Sequence, residues 1–257
     1  MAIIDTFCFF NELELLEIRL NYLDPIVDVF LCCEATVTHS GQPKPLYYDE
    51  NKHLFKEFKS KIVHVIVNNM PPVINNDRWK LENYQRNAIL SGLDSMELEN
   101  DDYLLIGDVD EIPNLDLIHL KQFGVYDQKC YMYYLNVKSD EHWNGTIGLE
   151  YNRLKNYFGS PQKVRDQRNH LEPIRNGGWH FGWLGNYDRI MAKIKAFAHT
   201  EIDVPQYTDP LRETIKNIKP LWCPDGGPME VVKIESIPID YIIDNQEKFK
   251  ELIYGNI

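Results

Sequence analysis

Long apolar runs are absent from this 257-residue sequence, in which no stretch approaches the 18 apolar residues of a membrane-spanning helix. Residues 1–5 also lack the basic region and long apolar core that begin a secretory signal peptide. Both absences argue against a chain that spans a membrane or is exported. We therefore expect no membrane span and a cytoplasmic location.

Cysteine is scarce, and its pattern argues against a disulfide framework or a zinc site. The count of five is odd, no two cysteines have C-x-x-C spacing, and four of the five lie in apolar, strand-like runs. Cysteines in such runs behave as small apolar side chains. The sequence therefore predicts mostly buried, reduced thiols at Cys8, Cys32, Cys33, Cys130 and Cys223.

Positive charge is also in short supply. Lysine and arginine number 27 against 39 aspartates and glutamates, which gives a net charge of −12. Proteins that bind the nucleic-acid backbone need a basic face, so nucleic acid is not expected as a partner. A nucleotide is not excluded, because a metal ion and a few basic side chains are enough to hold its phosphates.

The composition and the order of apolar runs are typical of an ordered α/β protein. Hydrophobic residues make up 44% of the chain and aromatic residues 12%, without repeats or low-complexity tracts. Strand-like runs at residues 2–10 and 26–33 flank a segment whose leucines recur at the spacing of one helix face. We therefore predict a single domain with a Rossmann-like, mostly parallel sheet flanked by helices.

Further elements follow in the same alternating order. Strands are predicted at residues 61–67, 103–106 and 130–137, and a helix capped by Asn76 or Asp77 precedes the second of them. After residue 137 the long apolar runs stop, but no linker separates a second domain. Within one domain of residues 1–257, we interpret residues 1–137 as a nucleotide-binding half. Residues 138–257 are expected to bind the second substrate and to end in helices, the last of them an acidic helix at residues 242–253.

An acidic cluster follows the apolar run at residues 103–106. Asp108 and Asp110 are two residues apart, so in an extended segment both side chains project to the same side. Two carboxylates at the carboxyl end of a buried strand suit Mg²⁺ or Mn²⁺ bound together with substrate phosphates. A short Asp-x-Asp pattern also arises by chance, and the alternative is a solvated acidic turn.

Several charged residues are candidates for binding a phosphorylated donor. Arg86, on the helix before the acidic strand, suits a phosphate clamp, although an ion pair with Glu82 one turn away is an alternative. Glu34 follows a strand, where it is either a hydrogen-bond acceptor for a ribose or base or a plain loop acid. A basic island is made of Lys163, Arg165 and Arg168. It either binds a diphosphate or forms a solvated surface, and the sequence favours neither interpretation.

Two tryptophans and two titratable residues are candidates for the acceptor and for the general base. Trp179 and Trp183 can stack against a sugar ring or can fill the core. His180 is either a base or a hydrogen-bonded buried histidine. Glu201, beside His199, is the second candidate base, and a helix-end acid is its alternative.

Several segments in this sequence, taken in order, resemble glycosyltransferase family 17. The similarity runs from about residue 3 to about residue 245 and therefore covers nearly the whole chain. Long strings in the right order are more specific than Asp-x-Asp alone. The segments that carry the resemblance are residues 5–30, 41–48 (GQPKPLYY), 85–88 (QRNA), 108–113 (DVDEIP) and 177–181 (GGWHF).

The resemblance implies a GT-A-like nucleotide-sugar transferase that depends on Mn²⁺ or Mg²⁺ and inverts the anomeric centre. The expected donor is a UDP-sugar, with N-acetylglucosamine as the candidate sugar, and the expected acceptor is a hydroxyl group, most simply of a glycan. Asp108 and Asp110 are then the metal and diphosphate motif. Two other functions stay open: a metal-dependent hydrolase of nucleotide sugars or phosphodiesters, and a non-catalytic module that binds a sugar nucleotide.

Overall fold

One nine-stranded sheet organises the chain in the computed structural model, which describes residues 1–75 and 77–255. The strand order is β3-β2-β1-β4-β7-β6-β8-β5, and β9 pairs with β7. The strands are β1 (Ile3–Phe9), β2 (Val29–Ala35), β3 (Ile62–Val67), β4 (Tyr103–Asp108), β5 (Glu111–Pro113), β6 (Gly124–Met132), β7 (Val137–Glu150), β8 (Pro173–Gly182) and β9 (Glu230–Val231).

The sheet is mixed, so the expectation of a mostly parallel sheet is not confirmed. β3, β2, β1 and β4 run parallel to one another, and β8 runs parallel to β6. β7 is antiparallel to β4, β6 and β9, and β5 is antiparallel to β8. Only residues 133–136 connect β6 to β7, which is far too short for the crossover that a parallel pair requires.

The predicted strand at residues 130–137 is wrong in extent. β6 begins earlier, at Gly124, and ends at Met132. Tyr133 then adopts a left-handed backbone conformation with φ of 66°, and β7 begins at Val137. An uninterrupted apolar run therefore contains a tight reversal that its composition does not reveal.

Helices cover both faces of the sheet. Among the described residues, no helix has the length and apolar character needed to cross a bilayer. Asp77 Oδ1 accepts a hydrogen bond from the Lys80 amide at the start of α3, whereas Asn76 lies outside the described residues. The helices are α1 (Leu13–Leu23), α2 (Tyr47–Asn51), α3 (Trp79–Asn87), α4 (Ile89–Leu93), α5 (Leu115–Ile118), α6 (Tyr151–Arg153), α7 (Pro161–Arg165), α8 (Tyr187–Ala196), α9 (Pro205–Thr208), α10 (Leu211–Lys216) and α11 (Asp240–Asp244).

Apolar side chains fill both sides of the sheet, as expected for strands buried on two faces. On one side, Leu16 and Leu20 of α1 pack into the cluster that contains Phe7 of β1. On the other side, Ile89 and Leu93 of α4 pack into a second cluster. The face of α1 that carries the regularly spaced leucines is therefore the face that the helix buries.

The end of the chain packs on the outer side of α1. Residues 242–253 are not the single helix that their composition suggests, because α11 ends at Asp244 and one 3₁₀ turn follows at Lys250–Leu252. Ile242 and Phe249 join Leu15 of α1 in a third cluster. All five cysteines are free thiols, of which three are buried and Cys223 is exposed.

Candidate active site

A cavity of about 630 Å³ lies where β1 and β4 end. Phe9 and Phe10 form part of its wall at the end of β1, and Asp108 and Asp110 form part of it at the end of β4. Side chains from α3, α7 and α8 close its sides. Ligands of α/β proteins bind at the carboxyl edge of parallel strands, and this volume is typical of small-molecule sites.

The residues that join β4 to β5, positions 108–111, are called the acidic turn here. Gly107 precedes it, and a Cβ atom at this position would lie 2.6 Å from Thr146 Oγ1 and 3.0 Å from Glu111 Oε2. Such contacts are shorter than van der Waals distance, so glycine leaves the space in which the Glu111 carboxylate folds back beneath the strand end.

A buried arginine holds the backbone of the acidic turn from behind. Arg19 and Asp5 are both fully buried and form two hydrogen bonds, of 2.7 Å from Nε and 2.6 Å from Nη2. Arg19 Nη1 donates to the carbonyl oxygens of Asp108 at 3.2 Å and Glu111 at 2.6 Å. One guanidinium group thus satisfies a buried carboxylate and fixes the turn that carries the site acids.

Two further arginines hold Asp108. Arg86 Nη2 lies 2.9 Å from Oδ1, and Arg165 Nη2 lies 3.1 Å from Oδ2. Burial by itself raises the pKa of Asp108, but these two guanidinium groups outweigh it and hold the pKa well below its ordinary value. Arg86 also keeps the ion pair with Glu82 at 3.2 Å, so both functions considered for this arginine are present in the structure.

Glu111 and Trp143 connect Arg165, His180 and Arg168. Glu111 accepts from Arg165 Nη1 at 2.9 Å and from Trp143 Nε1 at 2.6 Å. The Trp143 ring stacks on the imidazole of His180 at 4.4 Å between centroids, and the Arg168 guanidinium lies 4.7 Å from the indole. The indole therefore sets the positions of two groups that face the cavity.

Arg168 is the least constrained of these cations. Within the described chain its guanidinium has no hydrogen bond or ion pair to another side chain, although the residue lines the cavity. Burial and the neighbouring charge of Arg165 both lower the pKa of Arg168. A cation that faces a cavity without a carboxylate partner is available to an anionic ligand.

One carboxylate oxygen of Asp110 accepts a hydrogen bond, and the other has no hydrogen-bond donor among the described residues. Lys193 Nζ lies 3.0 Å from Asp110 Oδ2 and 2.9 Å from Glu12 Oε1, and the two carboxylates raise the pKa of Lys193 against the effect of burial. His180 Nε2 is 3.9 Å from the same Asp110 oxygen. Oδ1 accepts no hydrogen bond from any residue that the structure describes.

The donor set fits a divalent metal at Asp110 better than at Asp108. Both oxygens of Asp108 accept hydrogen bonds from arginines, whereas Asp110 lines the cavity and its Oδ1 accepts no hydrogen bond from the described residues. No group of three or more metal-ligating residues occurs in the described part of the chain. Mg²⁺ and Mn²⁺ sites that use substrate phosphates need only one or two protein carboxylates, so Asp110 is sufficient as the fixed ligand.

Aromatic side chains form a further part of the cavity wall, which is called the aromatic wall here. Trp183 meets Phe197 and Trp222 edge to face, each with 5.8 Å between centroids, and His199 lies against Trp79 at 4.5 Å. The backbone of Trp183 has φ of 58°, in the left-handed region that bulky residues rarely adopt. Residues held in such conformations cluster at functional sites.

Seven of the predicted site residues line the cavity, and four do not. The seven are Arg86, Asp108, Asp110, Arg165, Arg168, His180 and Trp183. Glu34, predicted to bind the donor, is fully buried beneath the site, where it pairs with Lys44 and His64 at 3.1 Å each. It can therefore act on a ligand only through Lys44, which lines the cavity.

The other three predicted residues face away for distinct reasons. Lys163 lies on the exposed side of α7, the helix that turns Arg165 inward. Trp179 fills the core, which is the alternative considered for it in the sequence analysis. Its ring meets Tyr22 edge to face, with 5.7 Å between the ring centroids. Glu201 is exposed and pairs with His199, which does line the cavity.

Four residues of the site are not among those predicted from the sequence. Glu12 follows β1, Glu111 adjoins the two predicted aspartates, Trp143 lies in the middle of β7, and Lys193 lies on α8. Only the acidic run hints at Glu111. The remaining three are defined by partners far away in the chain, such as the pair of Lys193 with Glu12, 181 residues apart.

The arrangement defines a class of site. Guanidinium groups and an open carboxylate oxygen at the edge of parallel strands suit a ligand that carries phosphates and a metal ion. The aromatic wall suits the C–H face of a sugar ring. A phosphorylated sugar ligand satisfies both the charged and the aromatic parts of the cavity.

The chain belongs to glycosyltransferase family 17, whose family model matches residues 1–223. The chain is also similar to proteins named β-1,4-mannosyl-glycoprotein 4-β-N-acetylglucosaminyltransferase from Rattus norvegicus, Mus musculus and Homo sapiens. Each is 24% identical over 285 aligned positions, which cover 95% of this chain and 53% of the relative. The chain thus spans about half the length of these relatives.

Proposed function

We propose that the chain transfers N-acetylglucosamine from a uridine diphosphate donor to a hydroxyl group of a glycan, with inversion at the anomeric carbon and with Mn²⁺ or Mg²⁺. The name of the relatives supports the sugar and the reaction. The observation that carries the proposal is that Arg86, Arg165 and Arg168 line the same cavity as Asp108 and Asp110, with Arg86 and Arg165 bonded to Asp108. A diphosphate is the ligand that such a set neutralises.

In this proposal the first half of the chain receives the nucleotide in a GT-A-like manner. Residues 1–137 contain the parallel strands β3-β2-β1-β4, whose carboxyl edge receives the nucleotide. Residues 138–257 complete the diphosphate site with Arg165 and Arg168 and supply Trp183, which receives the acceptor sugar. The cavity between them brings the leaving group and the attacking hydroxyl together.

The donor diphosphate lies on the arginines. Arg168 has no carboxylate partner in the described residues and takes a phosphate oxygen directly. Arg86 and Arg165 are held in place by Asp108 and Glu111, so they stabilise the charge on the departing diphosphate without having to reorganise. The ionised Asp108 orients these two arginines in our proposal.

Asp110 would hold the metal ion through Oδ1. When bound, the ion would supply Lewis-acid stabilisation to the diphosphate leaving group. Lys193 keeps Oδ2 of Asp110 in place and stays paired with Glu12. The protein thus provides an oriented carboxylate whose second oxygen is already neutralised.

We assign the general base to His180. Burial lowers the pKa of His180, so its imidazole is neutral near pH 7 and can accept the proton of the acceptor hydroxyl. Its ring is fixed by the stack on Trp143 and faces the cavity. Glu201 is exposed outside the cavity wall, which makes it the weaker of the two candidates. A single displacement with inversion needs no covalent intermediate.

The proposal is tested by incubation of the chain with UDP-N-acetylglucosamine and Mn²⁺, with and without a panel of glycans. We expect sugar transfer together with UDP release, loss of both on addition of EDTA, and recovery with Mn²⁺. UDP release that is equally fast without a glycan would instead identify a hydrolase. Donor binding without any turnover would identify a non-catalytic module.

Replacing Arg168 with alanine is expected to weaken donor binding by about 10- to 100-fold, because a hydrogen bond to a charged group contributes about 1.5–3 kcal/mol. Lys163→Ala is the matched control, since it removes the same charge five residues away on a side chain outside the cavity wall. Calorimetric titration with UDP measures both. Equal weakening in the two variants would indicate long-range attraction and not a contact with Arg168.

A further inference from the structure

Trp222 belongs to the walls of two cavities. The first is the candidate active site, where Trp222 meets Trp183 at 5.8 Å. The second has a volume of about 340 Å³ and is formed by residues 206–225. The residue Trp222 is 41% exposed, so much of its surface is accessible to a ligand. The second cavity therefore begins where the aromatic wall of the first one ends.

The second cavity has the chemistry of a site for a neutral, hydroxyl-rich ligand. Gln206, Glu213, Asn217 and Asp225 line it and offer amide and carboxylate groups for hydrogen bonds with hydroxyls. Asn217 Nδ2 already donates to the Glu213 carbonyl at 2.8 Å, so Asn217 offers its Oδ1 as an acceptor. Its only basic lining residue in the described chain is Lys219, whose Nζ already donates to the Pro224 carbonyl at 3.0 Å. This cavity lacks the cationic cluster that a phosphate group requires.

We propose that Trp222 and the second cavity form a second sugar subsite, so that the acceptor is bound through two consecutive sugar residues. The first residue lies beside Trp183 and presents its hydroxyl to the reaction. The next residue stacks on Trp222 and makes hydrogen bonds within the second cavity. The inference rests on the proposed function and adds the place and the minimum length of the acceptor.

Binding of glycans without any donor tests the subsite directly. A glycan array that includes monosaccharides and longer glycans is probed with the wild-type chain, with Trp222→Ala and with Asn217→Ala. We expect binding to glycans of two or more residues, no measurable binding to monosaccharides, and about tenfold weaker binding in each variant. Tyr157→Ala is the matched control, since Tyr157 is 82% exposed and lines neither cavity.

The exposed cysteine gives an independent test on the unaltered protein. Cys223 lines the second cavity, whereas burial raises the pKa of both Cys8 and Cys130 to about 12 and leaves them unreactive. Alkylation with N-ethylmaleimide adds a bulky group to the Cys223 sulfur. We expect it to remove the binding of longer glycans and to leave the affinity for UDP unchanged, and we expect Cys223→Ser to protect against this loss.

The outcomes separate this inference from the proposed function. Equal binding of monosaccharides and longer glycans, or full glycan binding by Trp222→Ala or by the alkylated chain, would overturn the second subsite while UDP-dependent transfer could still be observed. An array without any bound glycan would also overturn it. Length-dependent glycan binding that Trp222→Ala abolishes would support the subsite even if no transfer from UDP-N-acetylglucosamine were detected.

Discussion

Asp110→Asn is expected to lower the rate of sugar transfer by about 100-fold or more, since metal stabilisation of a leaving group contributes several kcal/mol to the transition state. The asparagine keeps the size of the side chain but removes the charge that holds the ion. Folding should be little affected, because Lys193 retains its ion pair with Glu12 at 2.9 Å. Initial rates at several Mn²⁺ concentrations measure the effect.

The control for Asp110→Asn is Asp116→Asn, which removes one negative charge from an exposed position on α5. The control should retain full activity. The apparent affinity for Mn²⁺, followed by the thermal shift of the chain in the presence of UDP, should fall only in Asp110→Asn. A fully active Asp110→Asn variant, or one with unchanged Mn²⁺ affinity, contradicts the metal assignment.

Arg19→Met is expected to lower the free energy of unfolding by about 3–5 kcal/mol, the usual cost of removing one partner from a buried ion pair. It leaves Asp5 as an unpaired buried carboxylate and removes the donor to the carbonyls of Asp108 and Glu111. Urea unfolding followed by circular dichroism measures the loss.

A double variant and a surface pair give the controls for Arg19. Asp5→Leu combined with Arg19→Met removes both charges and should recover part of the stability, since the unpaired charge is then gone. Lys138 and Glu230 form an exposed pair at 3.1 Å, and Glu230→Gln should change stability by less than about 1 kcal/mol. A loss at Arg19 no larger than the loss at Glu230 contradicts the role of the buried pair.

Sequence patterns predict the parts of the site that local geometry determines. Asp108 and Asp110 both line the cavity, as their place at the end of a buried strand predicts. The expected extended spacing is wrong, because β4 ends at Asp108 and residues 109 and 110 form a turn. Arg86 reaches the same cavity because α3 precedes that strand and covers its carboxyl edge. The basic island is only partly predictable, since its members Lys163 and Arg165 point in opposite directions on one short helix.

The residues that local patterns miss are those whose roles depend on distant partners. Trp143 meets Glu111 from 32 residues away, and Lys193 meets Asp110 from 83 residues away. The buried pair of Asp5 and Arg19 has a weak signal, because Asp5 is the one charge in β1, whereas Arg19 is one of three charged residues on α1. Its contact with the acidic turn becomes visible only in the folded chain.

The strands of the sheet also include some that the sequence predicts and some that it does not. The parallel strands β1, β2 and β4 are predictable because they are continuous apolar runs buried on both faces. β7 is not, because Val137–Glu150 includes an exposed polar stretch at residues 140–142 and reads as a loop. The direction of its pairing follows from the short connection after β6, which apolar periodicity does not encode.

The position of β7 also limits how members of such a family can be recombined. Residues 103–106 of β4 hydrogen-bond to residues 147–150, which come from the other half of the chain. A cut at residue 137 would leave the backbone amides and carbonyls along that edge without partners, as on an unprotected sheet edge. A chimera that exchanges only residues 138–257 must therefore restore the pairing of β4 with β7, in register, before any change of specificity can be measured.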